Sequence, residues 1–193
     1  DANLSELIHE HGFDSIFAVD LMDEFGEIRI PIKDHKHLNY DIVGEHLANY
    51  DFMINLAHFK GHAMGGFGGV MKNASIGVAS TNGKAYIHSA GKTTDPKLTW
   101  TPEYIAAGPT QDLFLESMAA AAQAVHNYFG GRVIYINVMN NMSVDCDCDG
   151  HPARPELKPL IQRINRQHGT YITDYAEKIG FGSKTYELIS LDK

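Results

Sequence analysis

A helix that runs into two glycines and then a strand constrains this chain more than any other feature. Residues Gln111 to Phe129 read QDLFLESMAAAAQAVHNYF, a run of Ala, Leu, Met and Glu that loses little side-chain freedom in a helix. Gly130 and Gly131 follow, where the left-handed turn that closes a helix favours glycine. Arg132 to Val138 (RVIYINV) is then largely β-branched and aromatic, the pattern of an interior strand. This order predicts an α/β fold with a mostly parallel or mixed sheet flanked by helices. In such folds the loops at the carboxyl ends of the strands carry the ligands.

Other periodicities extend this frame. Leu4 to His11 has helical spacing and stops at Gly12, Ser15 to Leu21 (SIFAVDL) reads as a buried strand, and Gly26 to Ile32 as a half-exposed strand that Pro31 sends to an edge. Tyr40 to Ala48 sets Ile42, Val43 and Leu47 on one helical face, and Tyr50 to Leu56 reads as a short buried strand. Gly83 to Lys92 has the pattern of a hairpin and turn. Thr93 to Pro109, with three prolines, has that of an irregular excursion. Pro159 to His168 and Thr170 to Ile179 are expected as two short helices, and Tyr186 to Leu191 as a last strand.

At 193 residues, with 44% hydrophobic and 21% charged residues, the chain has the material for one α/β domain over 1–193 with a sizeable core. A formal charge of -8 with dispersed basic residues argues against nucleic acid and against anionic membrane surfaces. No apolar run approaches the roughly 20 residues that span a bilayer. The two cysteines, Cys146 and Cys148, flank a single residue, which makes a disulfide between them strained. Two neighbouring free thiols fit a reducing compartment, and a cytoplasmic location is expected.

The densest concentration of chemistry runs from Asn55 to Asn73 (NLAHFKGHAMGGFGGVMKN), after a predicted strand and ahead of a predicted helix. Gly65, Gly66, Gly68 and Gly69 let backbone N–H groups converge on a small anion, with Lys60 and Lys72 as countercharge and Asn73 at the far end. The alternative is that the glycines serve tight turns and the lysines face solvent. The run matches neither common nucleotide signature. A Walker loop ending at Gly91-Lys92-Thr93 would need glycine where Tyr86 stands, and a dinucleotide fingerprint from Gly66 and Gly68 would need it at Met71.

His58 and His62 are four apart, which would put both imidazoles on one face of a helix as a metal-binding pair. Lys60 could act as a base or hold a carboxylate, and His88, among small residues, could complete the site. A second cluster, SVDCDCDGH from Ser143 to His151, gathers two thiols, three carboxylates and an imidazole. That mixture suits a transition metal such as iron or zinc better than calcium. An acidic turn with two buried thiols is the alternative. A self-contained [4Fe–4S] cluster is not expected, since it takes four cysteines.

Three strings carry a resemblance: AHFKGHAMGGFGGVMKNASIG (Ala57 to Gly77), NGKAYIHSAGKT (Asn82 to Thr93) and YINVMNNMSVDCDCDGHPA (Tyr135 to Ala153). They resemble the domain of unknown function 362 family, in the branch labelled iron–sulfur-centre proteins, and the likeness extends loosely over nearly the whole chain. It implies an α/β architecture and a site where Lys60-Gly61-His62 and Cys146-Asp147-Cys148 meet, with no established reaction. The ferredoxin-like cysteine cluster of some relatives is missing here. Beside the family pattern, this domain reads as part of a longer one, shortened before Asp1 and between Leu157 and Lys158, with another junction near 107–110.

The resulting expectation assigns Lys60 and His62 to catalysis and Gly65, Gly66, Gly68, Gly69, Lys72, Asn73 and His88 to a small anionic ligand. It assigns Cys146, Cys148, His58 and His62 to a transition metal. The rival is a non-catalytic docking module for a ferredoxin-like redox partner, using the acidic loop around Cys146. Self-association into a homo-oligomer is compatible with either.

Overall fold

The computed structural model describes residues 4–33, 36–62, 64–139 and 186–188. The chain divides into two compact units, Asp1–Met53 with Ser75–Arg132, and Ile54–Ala74 with Val133–Lys193. Helices and a mixed sheet together make it an α/β protein.

In the first unit, helix α1 (Leu4–Glu10) precedes an antiparallel pair, β1 (Glu27–Pro31) and β2 (Tyr40–Gly44), with Ile28 opposite Val43 and Ile30 opposite Asp41. Pro31 is the last residue of β1, where its missing N–H costs least. The helix expected over Tyr40 to Ala48 is instead a strand followed by a 3-10 turn, Glu45–Asn49. Ile42 and Val43 are β-branched and buried with their neighbours on both sides, which suits a strand enclosed on two faces. The buried strand expected over Ser15 to Leu21 does not form. Ile16 is 73% exposed and Phe17 62% exposed, in irregular chain with no partner strand among the described residues.

Helix α3 (Thr81–His88), preceded in the chain by the short α2 described below, replaces the expected hairpin. Ser80 caps it: its Oγ accepts the Gly83 N–H at 3.1 Å and donates to Glu27 on β1 at 2.7 Å. Gly83 looked like a turn residue, yet it serves close packing, because a Cβ there would collide with the carbonyl oxygen of Ile42. Two short helices, α4 (Pro96–Thr99) and α5 (Pro102–Ala106), occupy the proline-rich stretch. Asp95 and Thr101 cap them, and each proline opens its helix, where its lost donor has no intrahelical partner anyway.

The long helix α6 (Gln111–Tyr128) forms as its composition predicts, and Gly130 and Gly131 close it with positive φ of 60° and 81°. It buries Phe114, Met118, Ala121, Ala124 and Val125. Helices α3 and α6 pack on each other and on β2, around Ile30, Leu38, Ile42, Val43, Leu47, Ile87 and Phe129. Each fully buried large side chain of this kind contributes about 1.5–3 kcal/mol. Asp41 is buried among them. Its Oδ1 accepts the Ile42 N–H, its Oδ2 has no partner among the described residues, and burial pushes its carboxyl up to about 7.

The second unit is built on a three-stranded sheet in the order β3 (Met53–His58), β6 (Val133–Met139), β7 (Tyr186–Leu188). The Met53 N–H donates to Arg132 O and the Phe59 N–H to Val138 O. Partners advance in step, so β3 and β6 run parallel and end side by side. β7 runs antiparallel to β6, with Tyr186 opposite Met139. A small hairpin of β4 (Lys60–His62) and β5 (Gly66–Gly68) follows β3, and then α2 (Val70–Lys72), which continues as a π-helical turn over Asn73–Gly77. The glycine run thus follows a strand and opens a helix, as its position suggested. The helices expected over 159–168 and 170–179 lie outside the described residues, as does the Cys146 loop. Among the described residues no helix is long and apolar enough to cross a membrane.

Candidate functional site

The glycine-rich run is held in place by asparagines. Along β3 and the residue after it, Asn55, Ala57 and Phe59 are buried while Ile54, Leu56 and His58 are exposed, so a polar side chain falls on the covered face. Asn55 Nδ2 donates to Val70 O at 2.8 Å, and Asn137 on β6 accepts the Val70 N–H at 3.0 Å. Together they take both backbone polar groups of the residue that opens α2. Asn73 adds a longer bond, Nδ2 to Leu56 O at 3.4 Å. Gly69 has no room for a side chain: a Cβ would come within 2.8 Å of both the Phe59 ring and Asn137 Oδ1. Phe59 in turn stacks on Phe67 of β5, centroids 5.3 Å apart. The sequence reading missed Asn55 and Asn137 as anchors. Their signal was a polar residue at the buried phase of an otherwise apolar strand.

Lys60 and Lys72 both pass beside Gly68. Lys60 is the cross-strand partner of Gly68 in the hairpin, and Lys72 stands on α2 just beyond it. A Cβ on Gly68 would lie 3.5 Å from Lys60 Cε and 3.8 Å from Lys72 Cδ, so both aliphatic stems pass the side that glycine leaves open. Each stem ends in an ammonium group, a donor suited to a small anion. His62 lies on the same hairpin. Its Nδ1 accepts the N–H groups of Met64 at 3.2 Å and Gly65 at 2.9 Å. With Nδ1 used as an acceptor, the neutral ring keeps its proton on Nε2 and is a donor there, which suits an anion better than a metal.

The other expected residues separate from this group. His58 lies on the exposed face of β3, opposite the face that Val70 covers. His88 belongs to α3 in the first unit, where Nδ1 donates to Lys84 O at 2.7 Å and the ring packs against Trp100 and Phe114. Gly65 and Gly66 form the tip of the hairpin, and Cys146 and Cys148 lie outside the described residues. Among the described residues no three His, Cys, Asp or Glu side chains gather as a metal site. The first unit holds a network that the sequence did not announce. Asp20 accepts from Tyr50 at 2.6 Å and pairs with His46 Nδ1 at 2.6 Å, and these bonds hold its carboxyl below the usual range.

No curated protein and no solved structure matches this chain. A family model does, over residues 1–163, and by that match the chain belongs to the family described as Domain of unknown function (DUF362).

Proposed function

We propose that the β4–β5 hairpin binds a small anionic ligand, with Lys60 and Lys72 supplying positive charge, His62 Nε2–H a hydrogen bond, and the chain through Gly65, Gly66 and Gly68 leaving room for close approach. The convergence of the two lysine stems over Gly68 carries this reading. Ammonium groups on stems of this kind are suited to charge-assisted hydrogen bonds with a phosphate or carboxylate. Its place fits as well, because the hairpin follows the carboxyl end of β3, beside the carboxyl end of a parallel neighbour.

A transition metal is the second part of the proposal. Cys146 and Cys148 would supply thiolates, and iron or zinc suits such donors. Of the two histidines of the run, His58 is the better ligand, since His62 already spends Nδ1 on two backbone N–H groups. The supporting observation is topological: β6 ends at Met139 beside the end of β3, and Cys146 follows seven positions later. Within this reading Lys60 and His62 are the residues placed to exchange protons with a bound anion.

Calorimetric titration with inorganic phosphate tests the anion half. Lys60→Ala and Lys72→Ala are each expected to weaken binding by about tenfold, the effect of losing one charge-assisted contact. Equal affinity in the unaltered protein and in the double variant would remove the proposal. Elemental analysis tests the metal half separately, where stoichiometric iron or zinc should be present and lost in Cys146→Ser/Cys148→Ser.

A further inference from the structure

No residue between Leu4 and Arg29 is buried, although the stretch is rich in large apolar side chains. Helix α1 has the spacing of a packing helix, with Leu4, Leu7 and Ile8 on one side and Glu6 and Glu10 on the other, yet Leu4 and Leu7 are both exposed. Gly12, at φ 72°, turns the chain into a 3-10 turn, Phe13–Ser15, and the Phe17 N–H donates to Phe13 O at 2.9 Å. One helical turn thus separates the two rings, which places them on the same side. Phe13, Ile16, Phe17, Val19 and Phe25 are all exposed. The backbone beneath them is fixed nonetheless. Asp20 accepts from the Tyr50 hydroxyl and pairs with His46, Met22 O accepts the His46 N–H at 3.1 Å, and Gly26 O accepts the Glu45 N–H at 3.0 Å. A Cβ on Gly44 would collide with Met22 O, and the Phe25 ring packs on His46, centroids 5.5 Å apart. Polar bonds to the turn after β2, rather than burial, hold an apolar surface outward.

We infer that this surface docks a basic amphipathic segment of another protein, one that sets apolar side chains against Phe13, Ile16, Phe17 and Phe25 and Lys or Arg against the carboxylates that adjoin them in the chain. Exposed aromatic side chains bordered by polar groups are the anatomy of a protein interface. Charge selects the occupant. The first 28 residues carry eight of the chain's 24 carboxylates and none of its 16 Lys and Arg, so they hold the whole net charge of -8 and the other residues balance. Three of these carboxylates are engaged: Asp14 pairs with His9, Asp20 with His46, and Glu27 accepts from Ser80 and Asn82. Glu6, Glu10, Asp23 and Glu24 have no ion-pair partner among the described residues. A second copy would bring the same carboxylates to a symmetric contact, and an anionic bilayer would add its own negative charge, so both are repelled. A basic segment gains from the apolar contact and from the field alike.

Fluorescence anisotropy on the full chain tests this, with a short labelled helical peptide of Leu and Lys whose leucines line one side. Phe13→Ser/Phe17→Ser is expected to weaken binding about tenfold or more, the loss of two aromatic anchors. Glu6→Gln/Glu10→Gln should weaken it about threefold and flatten its dependence on salt, with thermal unfolding unchanged in both variants. A peptide of Gly and Lys should bind the unaltered protein at least about tenfold more weakly. Absence of binding, or equal affinity in the unaltered protein and the phenylalanine variant, overturns the inference. A solution mass that falls in that variant assigns the surface to a second copy, and binding of phosphatidylcholine vesicles that the variant loses assigns it to lipid; either result overturns the inference. If the phenylalanine variant does not fold, Ile16→Ser decides, with a loss of about threefold expected and equal affinity overturning the inference.

Discussion

Asn137, on the central strand of its sheet, accepts the backbone N–H of Val70 at 3.0 Å and so fixes the start of α2. Because Asn55 takes the carbonyl of the same residue, the helix that presents Lys72 is tied to two parallel strands. Asn137→Leu should cost about 1–3 kcal/mol in urea unfolding, the penalty for stranding a part-buried N–H. It should also weaken phosphate binding without touching a charge.

Neighbouring glycines should respond differently. Gly69→Ala brings a methyl within 2.8 Å of Phe59 and Asn137, and overpacking of this kind costs about 1–3 kcal/mol. Gly68→Ala meets only the lysine stems, at ordinary contact distance. Its melting temperature should stay close to that of the unaltered protein while phosphate affinity falls, because the methyl fills the space between Lys60 and Lys72.

Asp41 makes stability depend on pH. Burial raises its carboxyl to about 7, whereas the unfolded chain gives up that proton near pH ~4. The folded state therefore binds one more proton between these values. Its contribution is complete below about pH 4 and is lost as the pH rises through about 7. Urea melts at about pH 4.5 and about pH 8 should show this group costing on the order of 2–4 kcal/mol at the higher value. Asp41→Asn should remove that part of the slope.

The close approach of α3 to β2 supplies a further pair of variants. Gly83→Ala drives a methyl into the Ile42 carbonyl, and a loss of about 2–4 kcal/mol or failure to fold is expected. Ser80→Ala removes the cap and the bond to Glu27, costing about 1–2 kcal/mol. Thermal unfolding followed by circular dichroism separates the two.

Features written in local residue pattern were legible without the structure. Helix α6, its glycine stop and the strand β6 need only composition and two residues tolerant of positive φ. The glycine run between a strand and a helix was equally plain. Where tertiary burial overrides local pattern, the reading failed. Ile42, Val43 and Leu47 are spaced for a helix, yet the first two are enclosed on both faces of a strand. Ser15 to Leu21 is apolar enough for a strand but pairs with no strand among the described residues, and Gly83 spelled a turn although it marks a helix touching a strand.

By itself the sequence determined the α/β class, the family and the segment that bears the lysines, because these depend on periodicity and on strings of neighbouring residues. Tertiary structure alone decided which of those residues share a place. Pairing across the hairpin sets Lys60 against Gly68 and the turn of α2 brings Lys72 to the same spot, while His58 is left on the opposite face of β3 and His88 in the other unit. The reason is geometric. Strand alternation and hairpin register fix the direction of each side chain, and neither is set until a partner strand is chosen.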